Sequence, residues 1–470
     1  MSTRPGSGES GISASVSALS SEVPSHPSSR CLILTHEWRY WIGRRVELSQ
    51  GDVSLGSDIE VFQRRVAVRS VRSSTSASPT CTRAFSTPVD DSFAPISATP
   101  PPPPESTNAV WNAVNARAPR YDWTKDEIRE IYNTPLMELA FQAGTLHRRF
   151  HSPSAVQMCT LMNIKTGGCS EDCSYCAQSS RYNTGLKATK MSPVDSVLEA
   201  ARIAKSNGST RFCMGAAWRD MRGRKTSLKN VKAMVEGIRG MDMEVCVTLG
   251  MIDSDQAQEL KSAGLTAYNH NLDTSREHYP SVISTRSYDE RLQTLSHVRN
   301  AGINVCSGGI LGLGEKPEDH VGLLYTVSNL PAHPESFPVN ALVPIKGTPL
   351  GDDPSRKRIE FDAILRTIAT ARLVMPATII RIAAGRTTMS EAEQILCFSA
   401  GANAVFTGEK MLTTEAVGWD ADKAMFQKYG LTGMKPFERG AYKGSSFAEM
   451  RGDAAVPSDN AAPVESAVRV

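Results

Sequence analysis

The chain contains 470 residues, a length that suits two average domains or one large α/β barrel. Its 52 basic and 49 acidic side chains leave a formal charge of only +3, which argues against nucleic acid or an acidic membrane as the main partner. No apolar run approaches the roughly 18 residues that a membrane span requires. Ten cysteines diluted through so long a chain favour a reducing compartment over a secreted disulfide scaffold.

Residues 1–105 differ in composition from the rest of the chain and are predicted to form a disordered leader. Eleven serines occur among residues 1–30, and residues 100–104 are five consecutive prolines. Such a composition cannot bury enough apolar surface to fold. Residues 453–470 are rich in alanine, proline and serine, and they are predicted to be a short disordered tail.

One stretch of the leader has the chemistry of a mitochondrial transit peptide. Residues 61–89 contain five arginines and no acidic residue, interleaved with valines and serines. The order Arg83, Ala84, Phe85, Ser86 resembles the cleavage site of a matrix protease, with the cut after Phe85. The stretch therefore predicts import into the mitochondrial matrix, and a disordered basic tail is the alternative.

Between these two ends, short β-branched runs alternate with longer helical segments. The predicted strands are 156–164, 210–216, 243–249, 265–272, 303–311, 337–344, 378–384 and 402–407. Strands that alternate with helices pair in parallel, so eight such units predict an α/β fold, a (β/α)8 TIM-type barrel within residues 121–442. An open doubly wound sheet is the alternative. Upstream, Thr124 and Glu127 predict a capping box for a helix outside the barrel.

The run GGCSEDCSYCAQSS, just after the first predicted strand, holds Cys169, Cys173 and Cys176 in a CxxxCxxC spacing. A structural zinc site closes its coordination with four protein ligands, and this run supplies three. A four-iron cluster held by three cysteines leaves one iron open for a reagent. The run falls on the face where barrel enzymes carry out chemistry. Cys159 and Cys397 have no partner pattern and are interpreted as packing residues.

Four further side chains on separate predicted strands could converge in the barrel lumen. Cys213, Cys246 and Cys306 lie on strands two, three and five, and Arg381 lies on strand seven. Taken singly, each cysteine is more readily interpreted as a small buried hydrophobic residue. Arg381 would by default be half of a buried ion pair. From the residues alone both readings stay open.

The fourth predicted strand carries a candidate substrate wall. Asn269, Asn271 and Asp273 alternate along it and so share one face, opposite His270 and Leu272. Amides can both donate and accept hydrogen bonds, so such a face could bind a polar ligand. The alternative is an ordered polar layer that binds no ligand. His270 is interpreted as structural.

From about residue 121 to residue 442 the chain resembles the biotin synthases, a family of radical S-adenosylmethionine (SAM) enzymes. Tyr175 directly before the last cysteine of CxxxCxxC is part of the resemblance, and so are STRFCMGAAW, YNHNLDTS, VCSGGILGLGE and IRIAAGR. The resemblance implies a sulfurtransferase that converts dethiobiotin to biotin and consumes two SAM molecules. It also implies a homodimer that works with an electron-donor protein and the iron–sulfur assembly machinery.

The resemblance further implies particular residues for two clusters, SAM and substrate. The implied 4Fe–4S ligands are Cys169, Cys173 and Cys176. The implied 2Fe–2S ligands are Cys213, Cys246, Cys306 and Arg381. The implied SAM contacts are Tyr175, Asn271, Asp273 and Arg291. The implied dethiobiotin contacts are Asn269, Asn271 and Asn340. Gly308, Gly309, Gly312 and Gly314 end predicted strand five, where they either admit the SAM adenine or mark bulges.

Three other functions compete with this interpretation. A sulfur-inserting relative such as lipoyl synthase draws its second cluster from an additional closely spaced cysteine motif, and the other cysteines of this chain are not so grouped. A non-catalytic iron–sulfur carrier would not need the polar face of predicted strand four. A structural zinc site is the third alternative.

Overall fold

The computed structural model describes residues 108–116 and 118–438. The predicted leader with its transit peptide and the predicted tail lie outside the described residues.

The described strands pair in parallel and close into a barrel. Their bounds are β1 Ala155–Lys165, β2 Arg211–Ala216, β3 Glu244–Thr248, β4 Ala267–Asn269, β5 Asn304–Cys306, β6 Gly309–Leu311, β7 Ser336–Ala341, β8 Ile379–Ile382, β9 Ala404–Phe406 and β10 Thr432–Gly433. The order runs from β1 through β2, β3, β4, β5, β7, β8 and β9, and β9 pairs again with β1. β6 continues the β5 position and pairs with β7, while β10 pairs with the start of β1. The predicted (β/α)8 barrel is confirmed.

Helices follow the strands around the outside of the barrel. Their bounds are α1 Ala109–Asn115, α2 Lys125–Asn133, α3 Leu136–Phe150, α4 Val194–Ser206, α5 Lys225–Arg239, α6 Ser254–Ser262, α7 Tyr279–Val282, α8 Tyr288–Asn300, α9 Pro317–Ser328, α10 Pro349–Asp352, α11 Phe361–Val374, α12 Glu391–Ser399 and α13 Trp419–Tyr429. The predicted capping box opens α2, where Thr124 Oγ1 accepts from the Glu127 amide at 3.2 Å. Among the described residues no helix combines the length and apolarity needed to cross a bilayer.

Strand alternation separates an outer core from the lumen. In β2, Phe212 and Met214 belong to the apolar core that the helices cover, whereas Cys213 faces inward. The inward residues form a small buried group in the lumen, and it consists of Cys159, Cys213, Cys246, Ala267 and Cys306. Alternation on a closed sheet therefore decides which predicted site residues share the lumen.

The fourth and fifth predicted strands differ most from the structure. The fourth ends at Asn269 instead of residue 272, because the chain turns away and Asp273 adopts a positive φ of 68°. The predicted fifth strand, 303–311, is split into β5 and β6 around Gly308. A Cβ on Gly308 would lie 2.1 Å from the Pro338 carbonyl oxygen, so backbone approaches backbone too closely for any other residue. The Gly308 carbonyl instead accepts from the Leu272 and Asp273 amides.

A buried ion pair ties the turn after β8 to α13. Arg386 and Asp422 form a two-pronged pair in which Nη1 lies 3.0 Å from Oδ2, and Nη2 also contacts Oδ1. Their side chains are only 3% and 0% exposed. Arg386 Nε donates to Gln394 Oε1 at 2.8 Å, so the guanidinium is held on several sides.

We expect Asp422→Asn to lower the free energy of unfolding by about 3–5 kcal/mol, because it leaves the buried Arg386 charge uncompensated. Urea unfolding of the full chain, followed by circular dichroism, measures this loss. The matched control is Asp420→Asn on the same helix. Asp420 is 98% exposed and 3.5 Å from Lys423, so its loss should cost at most about 1 kcal/mol. Equal losses from the two variants would contradict the prediction.

Candidate active site

A cavity of about 330 Å³ opens at the carboxyl ends of the barrel strands and extends into the lumen. It brings together every site residue predicted from the sequence. These residues are Cys169, Cys173, Tyr175, Cys176, Cys213, Cys246, Asn269, Asn271, Asp273, Arg291, Cys306, Asn340 and Arg381. His270 lines the cavity as well, although strand alternation placed it on the opposite face. That expectation is wrong because β4 ends at Asn269, and alternation no longer applies beyond it.

The cysteine loop is shaped by glycines and closed by backbone hydrogen bonds. Gly167 and Gly168 have φ values of 66° and 71°, a left-handed conformation that turns the chain just before Cys169. The Cys169 amide donates to the Gln178 carbonyl at 3.0 Å, and the Ser180 amide donates to the Cys169 carbonyl at 2.7 Å. These contacts fix both ends of the loop, so that its thiols are presented together at the cavity.

The loop thiols are held in a dry environment. Burial raises the pKa of Cys176 to about 11, and it also raises the pKa values of Cys169 and Cys173. Arg286 and Arg291 oppose this effect at Cys173, because their positive charges favour the thiolate. A metal-bound thiol is deprotonated outright, so a bound cation would overcome the cost of burial. The donor set therefore fits a thiolate-ligated cluster.

Asp273 is the centre of a buried polar network beside the cysteine loop. Its Oδ2 accepts from the Tyr175 hydroxyl at 2.9 Å and from Arg291 Nη2 at 2.6 Å. Arg291 also donates from Nε to the Tyr279 hydroxyl at 2.7 Å and from Nη1 to the Asn271 carbonyl. Burial lowers the pKa of Arg291, but the Asp273 charge more than compensates and raises it. The guanidinium therefore stays positive, and each terminal nitrogen has a further N–H for a ligand.

The predicted substrate amides form one connected wall. Asn269 Nδ2 donates to Asn271 Oδ1 at 3.0 Å, and the Thr248 hydroxyl donates to Asn269 Oδ1 at 3.1 Å. Asn340, on β7, donates to the Gly309 carbonyl at 2.8 Å. These contacts fix the direction of each amide, so that donors and acceptors have defined positions before any ligand binds.

The lumen cysteines lie in one buried group of side chains. Cys213 and Cys246 are paired in register across β2 and β3. Cys159, Cys213, Cys246 and Cys306 belong to this group of buried residues, which also contains Ala267. Cys159 is completely buried in this group, as its interpretation as a packing residue predicts, and it also accepts a hydrogen bond from Arg381. Cys397 lies on α12 in the apolar core, as a packing residue would.

Arg381 occupies the same layer and is completely buried. Nη1 donates to Ser336 Oγ at 2.8 Å, and Nη2 donates to Gln157 Oε1 at 2.7 Å and to Cys159 Sγ at 3.1 Å. In the described part of the chain, no carboxylate forms an ion pair with Arg381, so the default reading as half of a buried ion pair is not met. Burial raises the pKa of Cys159, but the Cys213 thiol and the Arg381 charge outweigh it and lower that pKa to about 7.

The lumen layer around Arg381 contains more positive than negative charge. Arg211 approaches Glu244 only at 3.7 Å, and its Nε and Nη2 have no hydrogen-bond partner. Arg381 Nε is also buried without a partner. Unpaired buried donors are costly, so thiolates or another anion in this layer would stabilise both guanidinium groups. The layer therefore fits an anionic iron–sulfur cluster. Among residues 108–116 and 118–438, no three His, Cys, Asp or Glu side chains lie close enough to share one metal ion.

Two family models match adjoining parts of the barrel. The model of the radical SAM superfamily matches residues 163–325, and the model of the Biotin and Thiamin Synthesis associated domain matches residues 338–432. The mitochondrial biotin synthase of Emericella nidulans is 75% identical over 331 residues, which cover 70% of this chain and 84% of that protein. The chain belongs to the biotin synthase family.

Other biotin synthases match the same region at lower identity. The mitochondrial biotin synthase of Saccharomyces cerevisiae is 60% identical over 333 residues, covering 70% of this chain and 89% of that protein. The mitochondrial biotin synthase of Arabidopsis thaliana is 60% identical over 318 residues, which cover 68% of this chain and 83% of that protein. As a radical SAM enzyme, a biotin synthase uses a 4Fe–4S cluster and SAM and acts on a small molecule.

Solved structures of more distant proteins share the fold. Methylornithine synthase superposes with a TM-score of 0.57 at 16% identity, covering 74% of this chain and all of that protein. The FeFe-hydrogenase maturase HydG from Carboxydothermus hydrogenoformans superposes with a TM-score of 0.59 at 16% identity, covering 70% of this chain and 82% of that protein. At this identity the likeness concerns the barrel alone.

Proposed function

We propose that this member of the biotin synthase family converts dethiobiotin to biotin by inserting sulfur between two unactivated carbons. Two SAM molecules are consumed, and methionine and 5′-deoxyadenosine are released. The observation that carries the proposal is the shared cavity, which places the loop thiols, the amide wall and the lumen thiols along one path. An enzyme that must bring a radical source, a substrate and a sulfur source together requires such an arrangement.

The two sets of thiols are assigned to two clusters. Cys169, Cys173 and Cys176 would hold the 4Fe–4S cluster. Cys213, Cys246, Cys306 and Arg381 would hold a 2Fe–2S cluster deeper in the lumen. When bound, the first supplies an electron for SAM cleavage and the second supplies sulfide. The excess positive charge of Arg211 and Arg381 supports an anionic group at the deeper position.

The Asp273 network is proposed to bind and orient SAM. Asp273 and Asn271 would accept from the ribose hydroxyls, and the remaining N–H groups of Arg291 would donate to the SAM carboxylate. Tyr175 holds the Asp273 carboxylate through its hydroxyl, so it positions the ribose contact indirectly. Because Arg291 and Asp273 are already paired, the site is formed before SAM arrives.

The amide wall is proposed to bind the ureido ring of dethiobiotin. Asn269, Asn271 and Asn340 offer both carbonyl oxygens and N–H groups, which match the two N–H donors and one carbonyl of that ring. Leu161, Ile310 and Phe406 supply apolar surface on the same cavity. Apolar walls exclude water and hold the substrate carbons away from competing hydrogen donors.

The cellular setting follows from the relatives and the leader. Relatives from fungi and a plant are named mitochondrial, which supports a mitochondrial location for this chain. We place the enzyme in the matrix, where the arginine-rich stretch 61–89 would direct it. We further propose that it is a homodimer, that an electron-donor protein reduces it, and that the iron–sulfur assembly machinery loads its clusters.

The test is an anaerobic assay of the full chain reconstituted with iron and sulfide. With SAM, a reductant and dethiobiotin, we expect biotin together with about two deoxyadenosines per biotin. Asn340→Leu, which is close in volume, should lower biotin formation about 10-fold or more because it removes ureido hydrogen bonds. It should leave iron content unchanged, and SAM cleavage should become uncoupled from biotin formation. Deoxyadenosine without any biotin from the unsubstituted chain would refute the assigned substrate.

A further inference from the structure

The lumen layer contains four cysteines, one more than the proposed 2Fe–2S site uses. Cys159 is 0% exposed and lies on β1, next to β2 in the barrel. Its side chain packs in the same buried group as Cys213 and Cys246, which are paired in register across β2 and β3. Together with Cys306, these residues form a set of four thiols on β1, β2, β3 and β5. Four cysteine thiolates are the common ligand set of a 2Fe–2S cluster.

Arg381 and Cys159 are in direct contact. Arg381 Nη2 donates to Cys159 Sγ at 3.1 Å, and the same nitrogen donates to Gln157 Oε1 at 2.7 Å. A guanidinium group offers donors and no lone pair, so it can bind iron only after losing a proton. A thiolate needs no such change, and iron in these clusters is commonly bound by cysteine sulfur. Cys159 is thus the more suitable of two neighbouring candidates for the fourth position.

Unpartnered buried donors around these thiols mark a place for an anionic occupant. Arg381 Nε and the Nε and Nη2 atoms of Arg211 have no hydrogen-bond partner, although these side chains are nine-tenths buried or more. Cationic donors of this kind stabilise thiolates and bridging sulfides by charge-assisted hydrogen bonds. They do not themselves require Arg381 to be a ligand.

We propose that Cys159 is an alternative fourth ligand of the lumen cluster, able to occupy the iron position otherwise assigned to Arg381. The proposal rests on the lumen cluster of the proposed function. When Cys159 replaces Arg381, the bond from iron to the Arg381 nitrogen breaks and a bond to Cys159 Sγ forms. The thiol proton passes to the guanidine, so that guanidinium and thiolate result and no electron is needed. Arg381 then remains beside the thiolate as a hydrogen-bond donor.

The experiment isolates the lumen cluster and counts its iron. In the full chain, Cys169, Cys173 and Cys176 are all replaced by alanine, so that only the lumen site can be loaded. This parent is compared with the same chain carrying Arg381→Ala, Cys159→Ala or both. All four proteins are reconstituted anaerobically and desalted. Iron, acid-labile sulfide, the electron paramagnetic resonance spectrum and the reduction potential are then measured.

We expect the parent and both single variants to retain about two irons and two sulfides per chain, and the double variant to lose most of them. The Arg381→Ala cluster, bound by four cysteines, should have a lower reduction potential than the Cys159→Ala cluster, because replacing sulfur ligands by nitrogen raises the potential. If Arg381→Ala is as empty as the double variant, or if the double variant is as loaded as Cys159→Ala, Cys159 is not a ligand. An empty parent would overturn the lumen cluster itself.

Loss of fold must be distinguished from loss of a ligand. Cys397→Ala removes a buried thiol on α12, outside the barrel lumen. It provides the matched control for stability and iron content. Cys159→Val supplies a second variant that fills the site without a ligand. In the Arg381→Ala background, Cys159→Val and Cys159→Ala should give the same loss of iron. Iron retained with valine at this position would overturn the proposal.

Discussion

Cys173→Ala is expected to abolish both 5′-deoxyadenosine and biotin formation. The loop supplies three thiols and no fourth, so the variant lacks a ligand for the cluster that cleaves SAM. Replacing a residue that only holds a metal ligand in place already lowers metal affinity or activity about 10- to 100-fold. Loss of a ligand itself should therefore lower both rates of product formation by at least about 100-fold. The measurement is the anaerobic assay of both products, together with iron per chain.

The control for this variant is Cys397→Ala, which also removes one buried cysteine. Cys397 belongs to the apolar core around α12, away from the cavity that Cys173 lines. Its replacement should reduce stability modestly and leave the ratio of the two products unchanged. If Cys173→Ala still produced deoxyadenosine at the original rate, the assignment of the loop thiols to SAM cleavage would fail.

The barrel could be predicted from the sequence because short β-branched runs alternate with longer helical segments along the chain. Alternation of side chains along a strand also placed Cys213, Cys246 and Arg381 together, since their neighbours Phe212, Val245 and Ile380 had to face the helices. A closed parallel sheet leaves little choice once these outward residues are fixed. The convergence of these side chains in the lumen could therefore be predicted from the pattern, whereas a cluster at this position was implied only by the family resemblance.

Predictions failed where the chain leaves regular structure. The turn after Asn269 depends on the positive φ of Asp273, which a local pattern does not indicate for a non-glycine residue. As a result, His270 was placed on the wrong face. The break at Gly308 depends on the close approach of Pro338, a contact between distant parts of the chain. Contacts of this kind appear only when the barrel is closed.

The lumen position of Cys159 was not predicted, for a different reason. A lone cysteine between Met158 and Thr160 in an apolar strand has no local signal that separates packing from function. The contact that distinguishes it comes from Arg381, 222 residues away in sequence, which donates to its sulfur. The inward alternation of Gln157, Cys159 and Leu161 was the one available signal, and it required the lumen contacts of the other strands to be informative.

Asp273→Asn is expected to weaken SAM binding about 10- to 100-fold, which corresponds to the loss of hydrogen bonds to a charged acceptor. Asparagine is nearly the same size and tolerates the positive φ of this position, so the change removes charge and little else. It leaves Arg291, whose side chain is 4% exposed, without its carboxylate partner. The same variant should therefore lower the free energy of unfolding by about 3–5 kcal/mol.

Tyr175→Phe tests how much the orientation of Asp273 matters for SAM binding, because it leaves the charge of Asp273 in place. It removes the 2.9 Å hydrogen bond to Asp273 Oδ2 and leaves the pair between Asp273 and Arg291 intact. Its effect on SAM affinity should be smaller than that of Asp273→Asn, about 10-fold or less, because a single hydrogen bond is lost and no buried charge is exposed. Equilibrium binding of SAM to the reconstituted full chain gives both affinities. Unchanged affinity in Asp273→Asn would show that the network stabilises the barrel without binding SAM, whereas a larger loss in Tyr175→Phe would assign the ribose contact to the tyrosine.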